Sequence, residues 1–411
     1  MDRLHLSFLE ALRASLHGQT VDWTDPRSST EWIELFQLAR LHNVLPLIYE
    51  AVYPCPAAQA AEPAVWQHFK AQAIQATILQ TQKTRGFLQL EQALLAAGIT
   101  PLVVKGLVCR SLYPQPDLRP SNDEDLLIPA EQFPACHAAM LAQGMQLLEP
   151  EQDLSQAHEI SYGKAGTSLH IELHKHLFPP EADAYGSFNR FFDGVFDRAI
   201  TEPIQGIPIP TMSCTDHLFY LICHAFKHFL HSGFGIRQVC DMILFANAHG
   251  GELDWPVIQA HCREIRAERF TAALFRIGET CLSFDPDLAC YPEDWRQLPV
   301  DETALLEDLL AGGIYGASDL SRKHSAGITL HAAAGGSGGS PVLRTVFPSA
   351  RTLERRYPYL KRCPFLLPAA WAHRLLCYGK ELRSGTSSHA AAIQIGNRRV
   401  ALLKQYGIID E

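Results

Sequence analysis

No window of the sequence approaches the ~18 uninterrupted apolar residues of a membrane-spanning helix, so no membrane-embedded segment is expected. The opening stretch, Met1 to Leu12, lacks a basic leader, an apolar middle and a small-residue cleavage site, and carries Asp2 and Glu10 instead. A secretory signal is therefore not expected. The eleven cysteines are scattered singly, without a C-x-x-C pair. That is the distribution of reduced core thiols rather than of a disulfide framework or a four-cysteine metal site, and it predicts a cytoplasmic chain. Positive charge is also in short supply, with 35 Lys and Arg against 44 Asp and Glu for a net charge of −9. A surface that coats nucleic acid needs a basic field, so nucleic acid is not an expected partner except through a local groove. No internal repeat is visible. What remains is a composition of 47% apolar and 19% charged residues, which suits a folded globular protein. At 411 residues the chain exceeds one ordinary core, and two or three domains are the natural prior.

Three textures follow one another along the chain. Residues 1–97 read as a helical region. Apolar residues recur at helical spacing from Leu4 to Leu16, from Thr30 to about Val44 (Trp32, Leu35, Phe36, Ala39) and from Ala64 to Ala97. Ser29 or Thr30 is the expected N-cap of the second helix, Pro46 its end, Pro54 to Pro63 a linker, and Gly98 the glycine that stops the long helix. Residues 98–210 read as a small α/β core, with strands at Ile99–Val104, Asp123–Ile128 and Thr167–Leu177 and helices at Leu107–Tyr113 and Glu131–Gly144. Residues 211–411 return to helix at Thr215–Leu230, Ile236–Ala248, Pro256–Cys281, Glu302–Leu310 and Pro368–Leu382, with a Gly/Ser linker over 332–340. The expected fold is α+β: a small mixed-sheet core flanked by an N-terminal and a C-terminal helical domain.

The strongest chemical signal is Asp123-Glu124-Asp125 at the head of an apolar strand. Side chains at i and i+2 of a strand share a face, so Asp123 and Asp125 point the same way. Two carboxylates so close repel each other. A hard divalent cation, Mg²⁺ or Mn²⁺, removes that cost when it is shared with substrate phosphates. A third acid comes from His170-Ile171-Glu172-Leu173-His174, where strand alternation puts His170, Glu172 and His174 on one face. Three carboxylates brought together would suit a two-metal, in-line displacement at phosphorus. Upstream, Val103-Val104 runs into Lys105-Gly106 at a helix start, where free peptide N–H groups make an anion site and Lys105 adds a point charge. Arg119, four residues before the first acid, is a second cationic candidate.

This arrangement resembles the uncharacterised nucleotidyltransferase family of the NTP-transferase-5 type, within the polymerase-β-like superfamily. That pattern is a strand, a glycine turn into a short helix, a strand bearing D-x-D, and a third acid on a later strand. Lys105-Gly106, Asp123 with Asp125, and Glu172 occupy those places. The resemblance extends to Leu38–Tyr49, His224-x-x-Lys227-His228, Arg237 with Asp241, and Phe365 to Arg374. It implies catalysis and metal binding by Asp123, Asp125 and Glu172, with nucleotide bound by Lys105, Gly106, Arg119, Lys227, His228 and Arg237. Two residues depart from the superfamily pattern. Lys105 stands in the Gly-Ser turn, and Glu124 stands where an apolar residue belongs between the acids, so Glu124 must be exposed, paired or protonated.

Blander readings compete at the periphery. His224 and His228 have the spacing of a zinc helix, but Ala225 replaces the general-base glutamate that such enzymes use. Arg237 and Asp241 at i and i+4 default to an intrahelical ion pair, the alternative being Arg237 on a triphosphate with Asp241 orienting it. His170 and His174 default to the polar face of an edge strand, and otherwise support Glu172 or activate an acceptor. Arg351 to Arg362 is a basic segment that defaults to solvated surface. The leading expectation is transfer of a nucleoside monophosphate from an NTP to a hydroxyl of a small molecule, peptide or natural product. The alternatives are transfer from a nucleotide sugar in natural-product tailoring, a catalytically silent peptide- or protein-binding module, and, remotely, a zinc hydrolase on His224 and His228.

Overall fold

Asp2 accepts from the peptide N–H of His5 and opens helix α1 (Arg3–Leu16), whose Phe8, Ala11 and Leu12 are buried. Helix α2 (Ser29–Leu41) is capped one residue earlier than the sequence suggested. Ser28 forms a reciprocal capping box with Glu31. Pro46 does not end a helix but sits in the first turn of a new one, α3 (Leu45–Val52), where its missing N–H costs nothing. The expected linker at 54–63 contains a short turn of helix, α4 (Pro56–Gln59), pinned by buried Ala57 and Ala58. Helix α5 (Pro63–Ala96) then runs for 34 residues and ends before Gly98 at φ +75°. The computed structural model describes residues 1–231, 233–313, 329–330, 332–333, 350–353, 357–374 and 389–410.

Seven strands form one mixed sheet with helices on both sides. They are β1 (Leu102–Val104), β2 (Glu124–Leu127), β3 (Met145–Leu147), β4 (Glu159–Lys164), β5 (His170–His174), β6 (Ile200–Ile204) and β7 (Ile207–Thr211), in the order β3-β4-β5-β2-β1-β7-β6. Between them lie α6 (Gly106–Ser111) and α7 (Phe133–Ala142). β1 and β2 are antiparallel, whereas β2 and β5 are parallel with Asp125 opposite Glu172. That register sets the two acids side by side in the middle of the sheet. The expected α+β class with a mixed sheet is therefore correct.

Helices α8 (Cys214–Leu230), α9 (Arg237–His249), α10 (Trp255–Glu264), α11 (Glu268–Cys281), α12 (Glu293–Arg296) and α13 (Thr303–Gly312) follow the sheet. The continuous helix expected from Pro256 to Cys281 is two helices, broken where Arg266 turns at φ +57°. One apolar core runs without interruption from Phe8 to Ile408 through all of these elements. The Gly/Ser segment falls outside the described residues beyond 333, as does the expected last helix beyond 374. No described helix is long and apolar enough to cross a membrane.

Candidate active site

The turn between β1 and α6 is held by a residue far away in sequence. Lys105 adopts φ +43°, ψ −112°, a region that costs a non-glycine residue on the order of 1–3 kcal/mol. Its peptide N–H donates to His217 Nε2 at 2.9 Å. His217 therefore carries its proton on Nδ1, which faces Thr211 Oγ1 at 3.3 Å, and Thr211 donates onward to the Val103 carbonyl at 2.6 Å. Burial pushes His217 down to about 3, so the ring stays a neutral acceptor. Gly106, at φ +20°, is compulsory for a different reason. A Cβ there would lie 2.2 Å from Glu124 Oε2.

Glu124 resolves its own anomaly by turning away from its neighbours. It is fully buried, accepts from Arg110 Nη2 at 2.8 Å, and accepts from the Ser121 hydroxyl at 2.8 Å. The pleat then leaves Asp123 and Asp125 on the other face. Helix α5 braces the approach. Lys83 Nζ donates to the carbonyls of Ser121 and Asn122, and Gln80 accepts from the Ser121 N–H at 2.7 Å. The loop before Asp123 is thus clamped to a 34-residue helix.

Asp125 is buried between Lys105 Nζ at 3.0 Å and His174 Nε2 at 3.1 Å. Burial works to raise its pKa, but Lys105 and His174 outweigh it and hold the carboxyl at about 2. Glu172 behaves oppositely: burial, then the charges of Asp125, Asp123 and Glu159, push it up to about 9. His174 also lies 3.9 Å from Glu172 and presents Nδ1 at 3.6 Å to Glu159. Ligand atoms of Asp125, Glu172 and His174 all fall within 4.8 Å of one another. Asp123 lies outside that compact set but lines the same cleft.

The residues fit a divalent cation. Oxygen donors dominate, and the repulsion that keeps a proton on Glu172 is what a cation would relieve. The imidazole of His174 is tolerated better by Mn²⁺ than by Mg²⁺.

Two adjoining lobes share Lys105, Asp123, Asp125 and His224. One is completed by Gly106, Arg119, Ser121, Arg237 and Gln238. The other is completed by Glu159, Glu172, His174, Tyr220, Lys227 and His228. Arg119 is buried and grips Asp241 with two bonds of 2.8 and 2.5 Å, while the Tyr113 hydroxyl donates to the same carboxylate. Arg119 Nη1 is left buried with no hydrogen-bond partner in the lobe. Asp241 thus pairs with Arg119, 122 residues away, and not with Arg237 as helical spacing suggested. Arg237 donates to the Pro120 carbonyl.

His224 Nε2 lies 3.2 Å from Lys105 Nζ and 3.2 Å from His228. Burial, then the Lys105 charge, push His224 well below the usual imidazole range, so the ring stays neutral and its Nε2 can accept a hydrogen bond from the ammonium. Serving Lys105 accounts for this nitrogen without zinc, and neither metal-capable group among the described residues includes His224 or His228. Burial, followed by Lys105, lowers Lys227 as well. His170 lines neither lobe, whereas His174 sits at the centre. Glu159, His217, Lys83 and Tyr220 were not legible from the sequence. None belongs to a spacing motif, and only register or tertiary packing brings them in.

Residues 28–283 match the model of a family described as uncharacterised nucleotidyltransferase, a span that holds every residue of both lobes. No curated protein and no solved structure matches the chain.

Proposed function

Because the chain belongs to the uncharacterised nucleotidyltransferase family, we propose that it transfers a nucleoside monophosphate from an NTP to a hydroxyl acceptor and releases pyrophosphate. One observation carries the reading. Asp123, Asp125 and Glu172 converge on a cleft whose neighbouring lobe offers Lys105, Arg237 and an unsatisfied Arg119 nitrogen. Such a pairing of acids with cationic donors suits a metal–triphosphate.

In this reading Arg119 Nη1, Arg237 and the N-terminus of α6 take the β- and γ-phosphates. Lys105 shifts its ammonium from Asp125 to the donor, keeping His224 as its hydrogen-bond partner. A divalent ion, held by Asp123, Asp125 and Glu172, would supply charge neutralisation at the transferring phosphorus. The acceptor hydroxyl lies in the Glu172 lobe. Its oxygen forms a bond to the α-phosphorus as the bond to the pyrophosphate oxygen breaks. His174, with Nε2 on Asp125, holds that carboxylate in place, and the hydroxyl proton passes to solvent. Positioning and electrostatics do the work, and no covalent intermediate with the protein is required.

Calorimetry with ATP, GTP, CTP and UTP in the presence of Mg²⁺ or Mn²⁺ tests the proposal on the native chain and on Asp123→Asn/Asp125→Asn. Metal-dependent binding of a nucleotide, lost in the double variant, supports it. Unaltered binding in the double variant sinks the acid-centred mechanism. Binding of nucleotide sugars alone would change the transferred group while keeping the site.

A further inference from the structure

At the opposite end of α8 from His224, four ligating side chains meet in a place that shares no residue with either lobe of the cleft. Cys214 is the first residue of α8 and is buried; His249 is the last residue of α9. Glu202 projects from β6, and Glu252 ends the 3₁₀ turn that follows α9. Cys214 Sγ lies 3.4 Å from His249 Nδ1 and 3.5 Å from Glu252 Oε2. His249 Nδ1 lies 3.3 Å from Glu252 Oε1. Glu202 brings an oxygen within 4.8 Å of both the sulfur and the ring nitrogen.

These separations have a definite meaning. Ligands bound tetrahedrally at ~2.0–2.3 Å stand ~3.3–3.6 Å apart along the edges of the tetrahedron. The Cys214–His249 separation falls in that interval although it joins residues 35 apart, and Glu252 reaches the sulfur with Oε2 and the ring nitrogen with Oε1. A thiolate, an imidazole and carboxylates are also the donor mixture that favours Zn²⁺ over Mg²⁺. Two features make the cluster ready for an ion. The ring of His249 is fixed against Phe245 at 4.6 Å between centroids, with Nδ1 turned to the sulfur. Glu252, by contrast, is 63% exposed and leaves an entry path.

We infer that Glu202, Cys214, His249 and Glu252 form a structural zinc site. Binding replaces the thiol proton of Cys214, which passes to solvent, with a sulfur–metal bond, and no electrons change hands. The consequence for the molecule is local. The ion would tie the sheet edge at β6 to the start of α8 and the end of α9. Cys214 lies one turn before His217, the residue that holds the Lys105 turn in place. The site is therefore a staple behind the catalytic turn and takes no part in the chemistry.

Cobalt distinguishes this site from the active site, because a thiolate–Co²⁺ charge-transfer band requires cysteine and the cleft has none. The chelator-treated full chain is titrated with Co²⁺ and then with Zn²⁺. The expected result is a thiolate band that saturates at one equivalent and is displaced by Zn²⁺. The band disappears in Cys214→Ser, its cobalt affinity falls by about tenfold or more in His249→Gln, and both band and affinity are unchanged in Asp125→Asn. Absence of the band in the native chain overturns the proposal. So does a band that survives in Cys214→Ser, since another cysteine would then be the ligand. Should Cys214→Ser fail to fold, His249→Gln still decides, because undiminished cobalt affinity there excludes the imidazole.

Discussion

Asp123, Glu124 and Asp125 are consecutive and chemically alike, yet the fold gives them three different jobs. Glu124 is buried against Arg110 and the underside of Gly106, Asp125 is buried against Lys105 and His174, and Asp123 is half-buried at the cleft. Removing the charge of Glu124 strands the Arg110 guanidinium in the interior. Glu124→Gln should lower unfolding free energy by about 3–5 kcal/mol, measured by urea denaturation. Asp123→Asn should change stability by less than ~0.5 kcal/mol and cut turnover by about 10²-fold or more, the scale of losing one preorganised electrostatic group. A large stability loss in Asp123→Asn, or none in Glu124→Gln, would contradict this division. The acid pair was legible in the sequence because strand alternation is a local rule. Glu124 was legible only as an anomaly, since its partner lies 14 residues back across a turn. The Arg119–Asp241 pair was not legible at all: helical spacing offered Asp241 a nearer partner, and only tertiary packing chose the farther one.

At the scale of elements, α5 shows how a helix serves a site it does not line. Gln80 and Lys83 hold the loop before Asp123, so Lys83→Met should slacken that loop, lowering kcat while the circular-dichroism spectrum stays native. Two turns further along, Glu91 is fully buried with both oxygens lacking a hydrogen-bond partner, and burial raises it from 4.5 to about 8. Its folded pKa is raised, so its stabilising contribution is complete below pH 4.5 and is lost as pH rises through 8. Glu91→Gln should make the slope of stability against pH more positive in a denaturation series across pH 5–8. Unchanged slopes would mean that Glu91 is not held protonated.

Long periodic helices such as α5 and α8 were plain from spacing, and so were β1, β2 and β5, but β3, β4, β6 and β7 were not. β6 and β7 carry Pro203, Pro208 and Pro210, which read as breakers. They are accommodated because β6 is the sheet edge and β7 meets β1 only at Thr211, through Val103. Glu159 was missed with β4, since its strand has no signal beyond alternation.

At the scale of the molecule, the first and last helices share one core, and a single histidine joins three of them. His42, at the end of α2, accepts the Ile236 N–H on Nδ1 at 3.3 Å and faces the Leu310 carbonyl with Nε2 at 3.2 Å. A proton added to Nδ1 would set two donors against each other, and burial lowers His42 from 6.5 to about 4. His231 is likewise lowered to about 4 and His217 to about 3, in each case by burial first. A base whose folded pKa is depressed leaves the unfolded chain binding more protons, so stability rises with pH from about 4 to 6.5. Glu91 and Glu172 oppose this from 4.5 upward but are two groups against three, so the histidines prevail until they are all neutral. Above 6.5 the two raised carboxyls, Glu91 and Glu172, continue to titrate, and stability should turn down toward pH 8 and beyond. The metal-free chain is therefore expected to be most stable near pH 6.5. Replacing His42 by Gln should shrink the acid limb without touching the alkaline one, whereas Glu91→Gln should steepen the acid limb above 4.5 and flatten the alkaline one. A maximum that moves with neither substitution would show that surface charge, and not these buried groups, sets the profile.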